Sequence, residues 1–186
     1  MVRVGCYPGS FDPPTVAHVA VAEAARAAHR LDRVDLVVSR VPFGKDLAER
    51  PTLEERVDVL EHLATRLGWL GVVVSDHRLV ADLAEGYDVV IMGADKWAQV
   101  QDPAFYGDSA AARTVAVARL PEVALAPRGI DGTGTLMVDP DLRHVSSTAA
   151  RAGARELMVP EAMAFDDLTG AWTDPDRYDA LRRSAR

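Results

Sequence analysis

The chain has 186 residues, 48% of them apolar and 26% charged, with a single cysteine and a formal net charge of −7. One domain with a sizeable core fits that length, while the acidic balance excludes a broad basic footprint for nucleic acid, and one cysteine excludes an internal disulfide and argues against a cysteine-rich zinc site. No apolar run approaches a membrane span and "MVRVGCY" is too short for a signal segment, so a cytoplasmic protein without a membrane partner is expected.

From the amino end, "VRVGCY" (2–7) reads as a buried strand, followed by the loop "PGSFDPPT" (8–15). "AHVAVAEAARAAHRL" (17–31) is an alanine-rich helix, and "RVDLVVS" (33–39) a second strand. The loop 40–51 leads to a helix over 52–67, with Thr52 as N-cap and Leu53, Val57, Leu60 and Leu67 near one face. "WLGVVVS" (69–75), "YDVVIMG" (87–93) and "PEVALAP" (121–127) are further strands with helical segments between them. This alternation predicts βαβ units and a doubly wound, mostly parallel sheet with helices on both faces. No repeat, low-complexity tract or linker divides the chain, so a single α/β domain is expected. The ending "TDPDRYDALRRSAR" (173–186) is polar and expected to fray.

In such a sheet, ligands bind beyond the carboxyl ends of the strands where strand order reverses, so the loops leaving strands one, two and four hold the chemistry. In the first loop, Gly9 and Ser10 can bring backbone N–H groups to an anion. Pro13 and Pro14 stiffen it, and Thr15 caps a helix whose first turn carries His18. A histidine there can donate to a phosphate oxygen gaining charge. Alone, the same pattern also describes a tight turn with a solvated histidine. The second loop holds Lys45, with Arg56 in the next helix; both suit phosphate, and both also suit plain surface charge. After strand four, "GADKW" offers Asp95 to a ribose or base N–H, and Trp97, Phe105 or Tyr106 to a flat ring. A core tryptophan and a capping aspartate fit there equally. Near the carboxyl end, "HVSSTAAR" (144–151) crowds Ser146, Ser147 and Thr148 at a helix start, with Arg151 one turn on from Ser147: a second anion cradle, or ordinary serine capping.

Together these pieces resemble one family. "GSFDPPTVAH" is similar to the HxGH-type signature of the nucleotidyltransferase superfamily in its TxxH form, with Ala17 where the signature has glycine. "VSSTAAR" resembles that superfamily's second signature, ISSTxxR, and the two occur in the family's order. "YPGSFDP" and "TLEERV" look like pantetheine-phosphate adenylyltransferase, whereas "IMGADKW", Arg151 and "LMVPEAMAF" look like bacterial nicotinate- or nicotinamide-nucleotide adenylyltransferase.

The resemblance implies a Rossmann-like nucleotidyltransferase domain over 1–170 and a polar tail over 171–186. It implies transfer of AMP from ATP to a phosphorylated acceptor, foremost nicotinate or nicotinamide mononucleotide, with release of pyrophosphate. Pantetheine-phosphate adenylyltransferase or a cytidylyltransferase of the same fold is the alternative enzyme; a nucleotide-binding module without turnover is the alternative of another functional class. Carried over, His18, Lys45 and Arg151 are the catalytic set. Gly9, Ser10, Phe11, Thr15, Ser146, Ser147 and Thr148 join His18 and Arg151 around the nucleotide. Lys45, Arg56, Asp95, Trp97 and Phe105 face the acceptor. Mg²⁺ is expected to arrive with the triphosphate, with no dedicated metal cage, and association of the chain with itself is left open.

Overall fold

The computed structural model describes residues 1–41, 50–127 and 134–184. Five strands, β1 (Val4–Pro8), β2 (Arg33–Ser39), β3 (Leu70–Ser75), β4 (Val89–Gly93) and β5 (Glu122–Ala126), form one sheet. Its order is β3-β2-β1-β4-β5 and every pairing is parallel. β2 buries Val34, Leu36, Val37 and Val38 on both of its faces because parallel strands are covered on both sides. Each strand lies within two residues of its expected place, β2 exactly on it.

Alternating strand residues feed two cores. Tyr7, Val34, Leu36, Val38, Val89 and Ile91 pack under α1 (Val16–His29) and α2 (Leu53–Leu67). Cys6, Val37, Val90 and Met92 face α3 (Val80–Leu83) and α4 (Ala94–Gln101). α5 (Ala110–Ala118) follows on that second face, and α6 (Ser147–Arg151) and α7 (Pro160–Thr169) complete the first. Cys6 is fully buried, and burial together with the Asp35 charge pushes its thiol up to about 12, so it is no nucleophile. Asp35 is itself matched by Arg33 at 2.9 Å and the Tyr87 hydroxyl at 3.1 Å.

Two local expectations change. The buried face of α2 carries Arg56, Val59, Leu60 and Leu63, so Arg56 rather than Val57 turns inward. Past residue 170, the expected fraying tail is instead α8 (Pro175–Ser184), and Trp172 and Tyr178 are 3% and 2% exposed. Gly170 makes this possible: at φ 74° it ends α7 in the left-handed region, where a Cβ would also meet the Asp174 carbonyl at 2.8 Å. The chain therefore folds back instead of running into solvent. No helix of the described residues is long and apolar enough to cross a membrane.

Candidate active site

From β1 the chain winds outward through β2 and β3, then returns to β4 and β5 on β1's other side. The crevice of an open α/β sheet lies at that reversal, between the carboxyl ends of β1 and β4. The loop from β1 to α1 lines it. Gly9 N–H donates to the Val37 carbonyl at 3.1 Å, so this amide continues the ladder rather than facing an anion. Its lack of a side chain serves Phe11, whose ring would lie 2.8 Å from a Cβ at position 9. Phe11 has φ 46° and is 2% exposed, folding its ring beneath the loop against Tyr7. Pro13 follows through a cis peptide, and Thr15 is fully buried as the N-cap of α1.

His18 occupies the third helical position, as the sequence predicts. Its Nδ1 accepts the Thr15 backbone N–H at 2.9 Å, and the Thr15 hydroxyl is 2.8 Å from the same nitrogen. A backbone N–H can only donate, so Nδ1 presents its lone pair and the neutral ring carries its proton on Nε2. The rings of Phe11 and Tyr7 hold the imidazole at centroid distances of 5.2 and 6.2 Å. The result is a hydrogen-bond donor of fixed tautomer and orientation in the first turn of a helix. Ala17, just before it, is half-buried in the same turn.

The second signature is drawn onto this loop from far along the chain. Ser146 caps α6 by accepting the Ala149 N–H at 3.1 Å, and Ser147 Oγ donates to the Pro13 carbonyl at 2.8 Å. Arg151 Nη1 donates to the Asp12 carbonyl and lies 3.4 Å from Asp12 Oδ2. Thr148 and Arg151 stand exposed. Just beyond, Val159 N–H donates to the Pro14 carbonyl at 3.1 Å. The remaining Asp12 oxygen, Oδ1, accepts the indole N–H of Trp172 at 2.7 Å. The sequence by itself assigns no role to Asp12 or Trp172; an isolated tryptophan in an otherwise polar ending is the one signal it carries.

Other expected residues are placed less uniformly. Arg56, expected at the acceptor, is 4% exposed and donates from Nη1 to the Ser10 carbonyl at 2.8 Å. Burial holds its pKa below the usual arginine value, against the attraction of Asp12 and Glu54. It braces the loop from behind. Asp95 is exposed in the first turn of α4, while Trp97 and Phe105 are half-buried against the second core. Lys45 lies outside the described residues. Among the described residues, no three His, Cys, Asp or Glu side chains gather to hold a metal ion.

The cytidylyltransferase-like family model matches residues 6–153 of the chain. The phosphopantetheine adenylyltransferase of Carboxydothermus hydrogenoformans is 44% identical over 59 residues, covering 32% of this chain and 33% of that one. A probable nicotinate-nucleotide adenylyltransferase of Listeria innocua is 37% identical over 59 residues, 32% of this chain and 31% of its own length. The chain thus spans about a third of these curated relatives. A solved structure, the nicotinic acid mononucleotide adenylyltransferase of Plasmodium falciparum complexed with NaAD, superposes with a TM-score of 0.60 at 14% identity. That likeness covers 92% of this chain and 98% of the other, and it shows a shared fold. With the family model running from the middle of β1 to just past α6, and both signatures drawn to one crevice, the chain belongs to the cytidylyltransferase-like family.

Proposed function

We propose that the protein is an adenylyltransferase, moving AMP from ATP to a phosphorylated small molecule and releasing pyrophosphate. The observation that carries this is the joining of the two signatures: Ser147 to Pro13 and Arg151 to Asp12, across separations of 134 and 139 residues. An oxygen of the acceptor phosphate attacks the α-phosphorus in line, and the bond to the β-bridging oxygen breaks, pyrophosphate leaving with the electron pair. The chain supplies position and charge rather than a covalent nucleophile. His18 Nε2–H donates to an α-phosphate oxygen, strengthening as charge develops there. Arg151, Thr148 and the hydroxyl-rich start of α6 hold the β- and γ-phosphates. Lys45 bridges the acceptor phosphate to the transition state. Mg²⁺ delivered with the triphosphate would neutralise part of its charge, and among the described residues no carboxylate cluster would hold it apart from the nucleotide.

For the acceptor we favour a nicotinate or nicotinamide mononucleotide. Asp95 stands exposed beside the crevice, where a ribose or base N–H could meet it, and Trp97 lies two residues further along α4. A second reading, phosphopantetheine as acceptor, is favoured by the relative that is 44% identical over its 59 matched residues. The test is pyrophosphate release from ATP or CTP against nicotinate mononucleotide, nicotinamide mononucleotide and 4′-phosphopantetheine. Release from ATP with a nicotinate-type acceptor supports the first reading. Phosphopantetheine as the sole productive acceptor replaces it with the second, and CTP as donor replaces adenylyl by cytidylyl transfer. ATP binding without release against any acceptor leaves a nucleotide-binding module.

A further inference from the structure

Asp12 sits at a junction that phosphate binding alone does not require. Its side chain is 16% exposed, and its two oxygens face different parts of the chain: Oδ1 takes the Trp172 indole N–H at 2.7 Å, and Oδ2 lies 3.4 Å from Arg151 Nη1, which also donates to the Asp12 main-chain carbonyl. The buried Arg56 guanidinium adds a second positive charge attracted to the same carboxylate. Trp172 is itself firmly held. Its backbone N–H donates to Asp166 Oδ1 at 2.8 Å, and its ring meets Phe165 edge-on at 5.6 Å. Asp166, 2% exposed, also receives Thr173 N–H at 3.1 Å and Arg155 Nε at 3.2 Å. An unbroken line of bonds therefore runs from Asp166 through Trp172 and Asp12 to Arg151.

A guanidinium carries five N–H donors in one plane, so anchoring Nη1 on Asp12 orients the others. Arg151 is otherwise a long, partly exposed side chain that would lose rotamer freedom on meeting a phosphate. We propose that Asp12, held by Trp172, is a positioning residue that fixes the Arg151 guanidinium for the triphosphate, making the carboxyl-terminal segment part of the nucleotide site. The proposal rests on the reading of this crevice as an ATP site. It differs from a counter-ion role, in which Asp12 would occupy Arg151 until the triphosphate displaced it.

The two roles predict opposite signs. ATP dissociation constants are measured by calorimetry, without acceptor, for the wild type, D12N, W172F, R151A and D12N/R151A. The positioning role predicts weakening of a few-fold in D12N, which keeps the main-chain carbonyl bond to Arg151 but removes the carboxylate charge, and of similar size in W172F. It also predicts that D12N/R151A binds no more weakly than R151A, because Asp12 acts through the arginine. W172F keeps the ring that packs on Phe165, so it tests the bond should D12N fold poorly. Tighter ATP binding in D12N, unchanged binding in both single variants, or additive losses in the double variant would overturn the proposal. Absence of ATP binding by the wild type would instead overturn the reading beneath it, and this inference with it.

Discussion

His18 illustrates how much a single residue's role depends on which atom is already engaged. With Nδ1 accepting from Thr15 at 2.9 Å, the ring closes the first turn of α1 and keeps its proton on Nε2. One side chain thus serves as a helix cap and as a donor for a reacting phosphate. The two contributions separate by size. In His18→Ala, loss of the cap costs about 1 kcal/mol, which lowers the melting temperature by only about 2–4 °C in a chain of this length. Loss of the donor lowers turnover by roughly 10²–10³-fold. Steady-state kinetics beside a thermal melt checks both; a turnover loss no greater than the small stability loss explains would remove His18 from the reaction.

At the scale of elements, α8 serves α2. Glu55 caps α2 by accepting the Thr52 N–H at 2.9 Å, and its carboxylate also receives the Tyr178 hydroxyl and Arg182 Nη1 at 2.9 Å. Arg50, just before α2, pairs with Asp179 at 2.6 Å. Burial alone would raise the Glu55 pKa, but the hydrogen bonds from Tyr178 and Thr52 and the charge of Arg182 outweigh it and leave it below the ordinary 4.5. The folded state therefore holds the ionised form more tightly than the unfolded state does. That stability is fully present above pH 4.5 and is lost as pH falls through the lower folded value. Melting temperatures followed from neutral pH to below that point should fall more steeply for the wild type than for Glu55→Gln, whose amide keeps the cap but does not titrate there. Parallel curves would mean that α8 does not hold this carboxylate as an ion.

For the whole molecule, the consequence is that the end of the chain is structural. Removing residues 171–186 takes away two side chains, Trp172 and Tyr178, that are 3% and 2% exposed, and it leaves Asp12 without its indole donor. Deleting one large buried aromatic costs about 3–5 kcal/mol, a large share of the roughly 5–15 kcal/mol that holds a domain folded. A chain ending at residue 170 should therefore unfold at a markedly lower denaturant concentration, as read by far-ultraviolet circular dichroism. A midpoint matching that of the full chain would show α8 to be an appendage.

What the sequence determined by itself is what local physics controls. Strand and helix periodicity placed β1 to β5, Thr15 and Thr52 marked the helix starts, and two separated signatures pointed to one family. Tertiary structure decided what each group is bonded to, because those partners lie far apart in sequence and no spacing rule relates them. Arg56 carries the charge of a surface residue, yet its position on α2 turns it under the first loop onto the Ser10 carbonyl. Gly9 has the freedom of an anion-loop glycine, yet its N–H is taken by β2 and its bareness makes room for Phe11. The polar ending carries too few apolar residues to read as a packed helix, and it packs because Gly170 turns Trp172 back toward Asp12, 160 residues away. Periodicity follows from the neighbours along the chain, and the partners of a buried polar group follow from closure of the whole fold.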